Sequence, residues 1–259
     1  MRRTHIPFAE GALTHQRREV KLRLAPAELA FVKRQPEWCG LGLAAPETCV
    51  VSVYFDRPDG SLTARALARP DDCLKLRTKE YAPDQGAGPG ARVVIEAKRE
   101  HAGTTAKRRV WIERASLARA ASEGGLGRAP TALAGVLASG RVHPVLAVSY
   151  RRRIYQSEST WRVTEDRQIA FHAIPREVAL GADKVLPARL PPPFAREEHV
   201  VLEVKFARVE DLPCWLAALC RGREARYSKF AEGMRSLSPP SSTRWRGGVH
   251  EEEALGRVH

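Results

Sequence analysis

VVLEVKF, residues Val200–Phe206, sets Glu203 and Lys205 against Val200, Leu202, Val204 and Phe206. Alternation with a period of two marks a strand with one buried face. Five more stretches follow the same rule. Arg17–Leu24 sets Arg17, Glu19, Lys21 and Arg23 against Arg18, Val20, Leu22 and Leu24. Leu74–Lys79 sets Lys75, Arg77 and Lys79 against Leu74, Leu76 and Thr78. Val93–Glu100 sets Glu96 and Lys98 against Val93, Ile95 and Ala97. Lys107–Glu113 sets Lys107 and Arg109 against Val110 and Ile112, and Trp161–Asp166 sets Arg162, Thr164 and Asp166 against Trp161 and Val163.

The polar face of an ordinary sheet mixes Thr, Ser, Lys and Glu. Here it is dense in Arg and Lys. Like charges opposite one another on neighbouring strands repel, so a sheet that keeps so many of them implies a compensating anion. A curved or closed sheet would point these faces into a wet lumen and its aliphatic faces outward against helices. Helices are available to cover them. Pro26–Arg34 has proline at a first helical position. Ser116–Ser122 and Thr131–Ser139 are short Ala/Leu-rich pieces. Glu210–Cys220 places Leu212, Trp215, Leu216 and Leu219 on one face. Tyr227–Leu237 is a last helix carrying Lys229. The class is α+β, with a mainly antiparallel sheet and peripheral helices.

The whole chain of 259 residues carries 43 Lys and Arg against 30 Asp and Glu, a surplus of +13 that points to a polyanionic partner. No run of about 18 apolar residues exists to span a membrane. The basic N-terminus lacks the apolar segment of a secretory signal. The five cysteines form no CxxC pair, which argues against a disulfide framework or a cysteine zinc site. A cytoplasmic, reduced protein is the expectation. One domain over residues 16–235 is expected, with a loose lead-in at 1–15 and a flexible tail at 236–259 rich in Pro, Ser and Gly. The turn-rich stretches Ala82–Gly90, Glu123–Pro130 and Leu186–Pro193 are too short to link domains.

No Walker A pattern appears, and Gly86, Gly88 and Gly90 flank Pro89 in what reads as a hairpin loop. The eight histidines form no HxxxH or HExxH pair, and no GxSxG elbow anchors a serine nucleophile. What recurs is Glu-x-Lys, at Glu19–Lys21, Glu96–Lys98 and Glu203–Lys205. Residues two apart on a strand share a side. Each copy therefore sets a carboxylate beside an ammonium. The plain reading is an ion pair across one face, worth little where exposed. The chemical reading is a carboxylate for Mg²⁺ or Mn²⁺ beside a lysine for phosphate.

The order of these motifs resembles the VTC domain, the polyphosphate polymerase domain of the triphosphate tunnel metalloenzymes and a relative of the CYTH proteins. The matching residues are Arg-x-Glu-x-Lys at 17–21, Tyr54-Phe55-Asp56, Arg65, Lys-x-Arg at 75–77, Ile-Glu-x-Lys at 95–98, Lys107 with Arg109, Ser-Tyr-x-Arg at 149–152, Arg-x-Thr-x-Asp at 162–166, Leu-Glu-x-Lys-Phe at 202–206 and Ser-Lys-Phe at 228–230. The resemblance spans roughly residues 15–235. It implies an antiparallel eight-stranded β-barrel forming a tunnel with a basic lumen.

By that resemblance, Lys21, Arg65, Lys75, Arg77, Lys98, Lys107, Arg109, Arg152, Arg162, Lys205 and Lys229 are phosphate-binding cations, with Lys21, Arg77 and Glu203 catalytic. Glu203 is the metal-binding carboxylate. Glu19 and Glu96 are candidates for a second carboxylate or for ion pairs that orient the lysines, and Glu19 completes the expected metal pair. Asp166 orients Arg162. CYTH relatives usually begin Glu-x-Glu-x-Lys; here Arg17 takes the first position, which favours the VTC branch. Lys79 stands where the family more usually has an aromatic residue.

The implied activity is metal-dependent transfer of the ATP γ-phosphate to a growing polyphosphate chain, with Mn²⁺ or Mg²⁺ as cofactor. Two other readings stay open. Water as acceptor would make a tripolyphosphatase or nucleoside triphosphatase. A binding module would hold polyphosphate or inositol phosphates without turnover. Nucleic acid is disfavoured, because aromatic residues are only 7% and most sit on apolar faces. Eukaryotic VTC domains work within membrane complexes, so this chain is expected to act alone or to dock onto a separate membrane protein.

Overall fold

A computed structural model describes residues 18–35, 38, 41–83, 92–101, 104–117, 142–156, 161–223 and 225–237. Among the described residues, nine strands form one antiparallel sheet. They are β1 (Arg18–Leu24), β2 (Gly42–Asp56), β3 (Cys73–Pro83), β4 (Arg92–His101), β5 (Thr104–Glu113), β6 (His143–Gln156), β7 (Arg162–His172), the two-residue β8 (Ala195–Arg196) and β9 (Val200–Phe206). Eight of them run in the order β1-β9-β7-β6-β2-β3-β4-β5, and β8 adds to β7. The sheet curls into a half-barrel. Lys98 of β4 thereby comes within electrostatic reach of Glu19 on β1.

The aliphatic faces point outward, as the alternation requires. Leu22, Leu202, Val204 and Phe206 pack beneath α1 (Pro26–Lys33) and α4 (Cys214–Cys220), whose Leu29, Val32 and Leu216 complete one core. Pro26 opens α1, and Glu28 accepts a hydrogen bond from the Ala25 N–H at 2.9 Å. Val53, Phe55, Val93 and Ile95 pack against Ala179 and Leu180 of α3 (Arg176–Leu180) in a second outer core. Each such buried Val, Leu, Ile or Phe side chain stabilises the fold by about 1.5–3 kcal/mol.

The third core lies on the concave side. Tyr54, Leu146, Phe171 and Val201 surround Phe230 of α5 (Lys229–Leu237). This helix fits because Gly233 has no Cβ: one added there would meet the Leu146 and Phe171 side chains at 2.5 and 2.8 Å. The concave face is therefore part apolar plug and part basic tunnel.

Two long strands, β2 and β6, carry no alternation signal. Val50–Phe55 is buried at every residue, because apolar packing covers both faces of this central strand. The helix expected over Glu210–Cys220 begins only at Cys214. Pro213 is its N-cap, with extended backbone, and Val209–Asp211 forms a separate 3-10 turn. Leu212 and Leu216 are still buried in the first core. The helix read at Thr131–Ser139, the stretch Glu123–Pro130, the lead-in at 1–15, and most of Ser116–Ser122, of Ala82–Gly90 and of the tail lie outside the described residues. Among the described residues, no helix is long and apolar enough to cross a membrane.

Candidate active site

The inward faces of the curled sheet line a cavity of about 120 Å³. Among the described residues, ten basic side chains line it: Lys21, Lys75, Arg77, Lys79, Lys98, Lys107, Arg152, Arg162, Lys205 and Lys229. Two carboxylates, Glu19 and Glu203, line it with them. The strands place these groups in cross-strand rows, and the rows differ in how far they are neutralised.

On one wall, β1 and β9 set opposite charges face to face. Glu19 pairs in register with Lys205, and Lys21 with Glu203. The Lys205 ammonium lies 3.1 Å from Glu19 and 2.5 Å from Glu203, while Lys21 lies 3.3 Å from Glu19. Lys21 also donates to the Tyr227 carbonyl at 3.2 Å. Burial pushes the Glu203 carboxyl up, but Lys205, Arg152 and Lys21 outweigh it and hold the group well below the usual range. Burial and Glu203 likewise push Glu19 up, and Lys21, Lys205 and Lys98 bring it down. Burial, then Lys98, lowers Lys21.

Deeper in, Asp166 is a fully buried anchor. Arg152 binds it through two parallel bonds of 2.6 and 2.7 Å, and Lys229 reaches it at 2.6 Å from α5. Both cations rest on the Tyr150 ring, with Lys229 at 4.7 Å and Arg152 at 5.2 Å from its centroid. A second anchor is Glu96, which has no exposed surface. Arg109 donates to it at 2.6 Å and Arg77 at 2.9 Å. A further Arg77 nitrogen donates to the Tyr54 hydroxyl at 2.9 Å, and Tyr54 stacks on Phe230 at 4.9 Å. Burial opposes ionisation of Glu96, yet Arg77, Lys79, Lys107 and Arg109 keep it well below the usual carboxylate range.

The remaining row is different. Lys75, Lys98 and Lys107 lie directly opposite one another across β3, β4 and β5. One carboxylate, Glu100, serves two of them, at 2.5 Å from Lys98 and 3.9 Å from Lys75. Among the described residues, no carboxylate lies within ion-pair distance of Lys107. Its ammonium is pushed down to about 8, by burial above all, against the pull of Glu96. Lys79 is 3% exposed and lies 3.7 Å from Glu96. Burial, then Arg77, pushes it down to about 5.

Most sequence-assigned residues thus converge here. Arg109 sits beside the lining as a partner of Glu96. Arg65 does not join it. It projects from α2 (Ser61–Ala68), is half exposed, and donates to the Asp72 carbonyl at 2.7 Å as well as to the Asp72 carboxylate. Asp56 of the Tyr54-Phe55-Asp56 motif caps α2, accepting the Leu62 and Thr63 N–H groups at 2.9 and 3.0 Å. Asp166 holds Arg152, which the register sets opposite it. Tyr150 and Lys79 were not assigned roles from sequence, although the alternation already set Lys79 on the face of Arg77.

Among the described residues, no three His, Cys, Asp or Glu side chains gather as a ready metal nest. Two carboxylates that converge on one ammonium suit a cation that takes its other ligands from phosphate oxygens and water, as Mg²⁺ does. Glu19 and Glu203 are that pair.

A half-barrel of antiparallel strands around a basic lumen defines the triphosphate tunnel fold. Residues 13–238 match the VTC domain. The chain belongs to the VTC domain family. No curated protein matches it. Among solved structures it is similar to HpAC1 from Hippeastrum, a protein with a dominant triphosphatase activity, at 14% identity over 83% of this chain and 94% of that one, with a TM-score of 0.52. It is also similar to PH1819 from Pyrococcus horikoshii OT3, at 16% identity over 84% of this chain and 99% of that one, with a TM-score of 0.44.

Proposed function

We propose that the protein is a polyphosphate polymerase, transferring the γ-phosphate of ATP to a growing polyphosphate chain within its tunnel. The observation that carries this reading is the row Lys75–Lys98–Lys107. Three like charges opposite one another destabilise a sheet, and a bound polyanion relieves that repulsion. The anchored cations are already paired with Asp166 or Glu96 and stay rigid, which suits them to positioning. The lysine row lacks such balance, which suits it to holding charge that arrives with the substrate.

Phosphoryl transfer needs no protein nucleophile. A terminal phosphate oxygen of the acceptor attacks the γ-phosphorus in line, and ADP leaves. The protein contributes positioning and a preorganised field for charge spread over the phosphoryl oxygens. Arg77 and Arg152, fixed by Glu96 and Asp166, hold phosphate in one orientation. Lys21 and Lys205 orient Glu19 and Glu203, the two carboxylates that would hold Mn²⁺ or Mg²⁺. The ion, when bound, neutralises phosphate charge.

Incubation of the purified protein with ATP and Mn²⁺, with and without a short polyphosphate primer, tests the reading on a gel. A ladder of lengthening polyphosphate is the expected result. A second reading keeps the tunnel and admits water as acceptor. Free phosphate with no ladder would establish that one. Tight polyphosphate binding without turnover would leave a binding module.

A further inference from the structure

The wall made by β3, β4 and β5 changes character along its length. The register sets Lys75, Lys98 and Lys107 in one row, and Arg77, Glu96 and Arg109 in the next. The third row is Lys79, Val94 and Trp111. One step further Arg92 stands opposite Glu113, and Tyr81 follows Lys79 on the same face of β3. Three cations give way to two cations about a carboxylate. Then come one lysine beside an apolar residue and an indole, and last a phenol beside charges of both signs.

Trp111 lies on the tunnel side of β5. Val110 and Ile112 pack into the outer core with Val93 and Ile95, so the residues that alternate with them face inward. Arg109 does so through its bond to Glu96. Trp111 is 52% exposed, and Tyr81 is 36% exposed. The other tunnel aromatics, Tyr54, Tyr150 and Tyr227, are buried and already lie against Phe230 or a cation. The Arg92 guanidinium lies 5.9 Å from the centre of the Trp111 ring. That contact steadies the indole on the sheet while half its surface stays open.

Single exposed apolar side chains are common on proteins. What sets Trp111 apart is its place in line with the phosphate-binding rows. Along a strand it stands about 7 Å from Arg109 and about 13 Å from Lys107. A nucleoside triphosphate changes in the same order over a comparable length, from an anionic tail through ribose to a flat base. We propose, on the basis of the tunnel reading, that Trp111 is the platform on which the donor's base stacks. The nucleotide then lies along β5 with its terminal phosphate at the lysine row. Stacking tolerates any base, so ATP and GTP bind alike, and a triphosphate without a base binds less tightly.

Calorimetric titration of the full chain with ATP, ribose 5-triphosphate and tripolyphosphate tests this. Wild type is expected to bind ATP about tenfold more tightly than ribose 5-triphosphate, as one stacked base contributes. Trp111→Ala is expected to abolish that difference and to leave tripolyphosphate affinity unchanged. Trp111→Phe is expected to keep most of it. Equal affinity of wild type for ATP and ribose 5-triphosphate would overturn the proposal, without need of any variant. So would Trp111→Ala that binds ATP as tightly as wild type, or one that loses ATP and tripolyphosphate alike, the mark of a structural role. Wild type that binds none of the three would instead overturn the tunnel reading, and the platform with it.

Discussion

Lys98 shows how one residue is defined by the company it keeps. It faces Lys75 and Lys107 across two strand pairs and leans on Glu100. Burial lowers its ammonium, and Glu19 and Glu100 more than restore it, so the charge is kept. Lys98→Met is expected to slow phosphoryl transfer by about 10²–10³ if the ammonium meets the developing charge; initial rates with ATP and primer check it. Lys107 adds a pH dependence. With its ammonium pushed down to about 8, the empty tunnel loses that charge as pH rises through 8. A bound polyanion raises the group again. Tripolyphosphate affinity should therefore be flat below that value, fall above it, and be accompanied by proton uptake. Lys107→Met should flatten the profile, which calorimetry in buffers of different ionisation enthalpy reads directly.

Among the elements, α5 links packing to the site. It brings Lys229 to Asp166 while Phe230 stacks on Tyr54, and Gly233 allows the close approach. Gly233→Val is expected to cost about 1–3 kcal/mol by overpacking against Leu146 and Phe171, read in a denaturant titration. It should also weaken tripolyphosphate binding, because Lys229 moves with the helix. The strands that announced themselves in sequence were those with one apolar and one charged face. β9 matches its expected bounds of Val200–Phe206. β2 and β6 stayed silent because both faces are buried along Val50–Phe55 and Leu146–Tyr150, which erases a period of two there. The sign pairing of Glu19 with Lys205 was also invisible, since it depends on which residues register places opposite each other. Arg65 matched a motif by type alone. Its helix and its bond to Asp72 turn it away from the lining. Lys79, by contrast, was legible as a third polar-face residue of β3; only its near-complete burial needed the fold.

At the scale of the whole molecule, a basic tunnel is built on a few buried carboxylates. Glu96, Asp166 and Glu203 all lie below their ordinary values in the folded protein; burial opposes this and neighbouring cations outweigh it. Groups depressed in this way contribute stability that is present above their unfolded values, near pH 4, and lost as pH falls through the folded ones. Stability should thus hold from neutral pH to about pH 5 and decline below it, as urea titrations across that range would show. Ligand binding should also raise stability, because a polyanion binds the folded tunnel and not the open chain. Raising salt should weaken that effect by screening the more exposed cations. The most direct test of the tunnel assignment is a crystal structure with tripolyphosphate and Mn²⁺. Phosphate oxygens about 3 Å from Lys75, Lys98 and Lys107, with the metal between Glu19 and Glu203, are the expected result. Tripolyphosphate seated only outside the tunnel, with the lysine row bare, would contradict it.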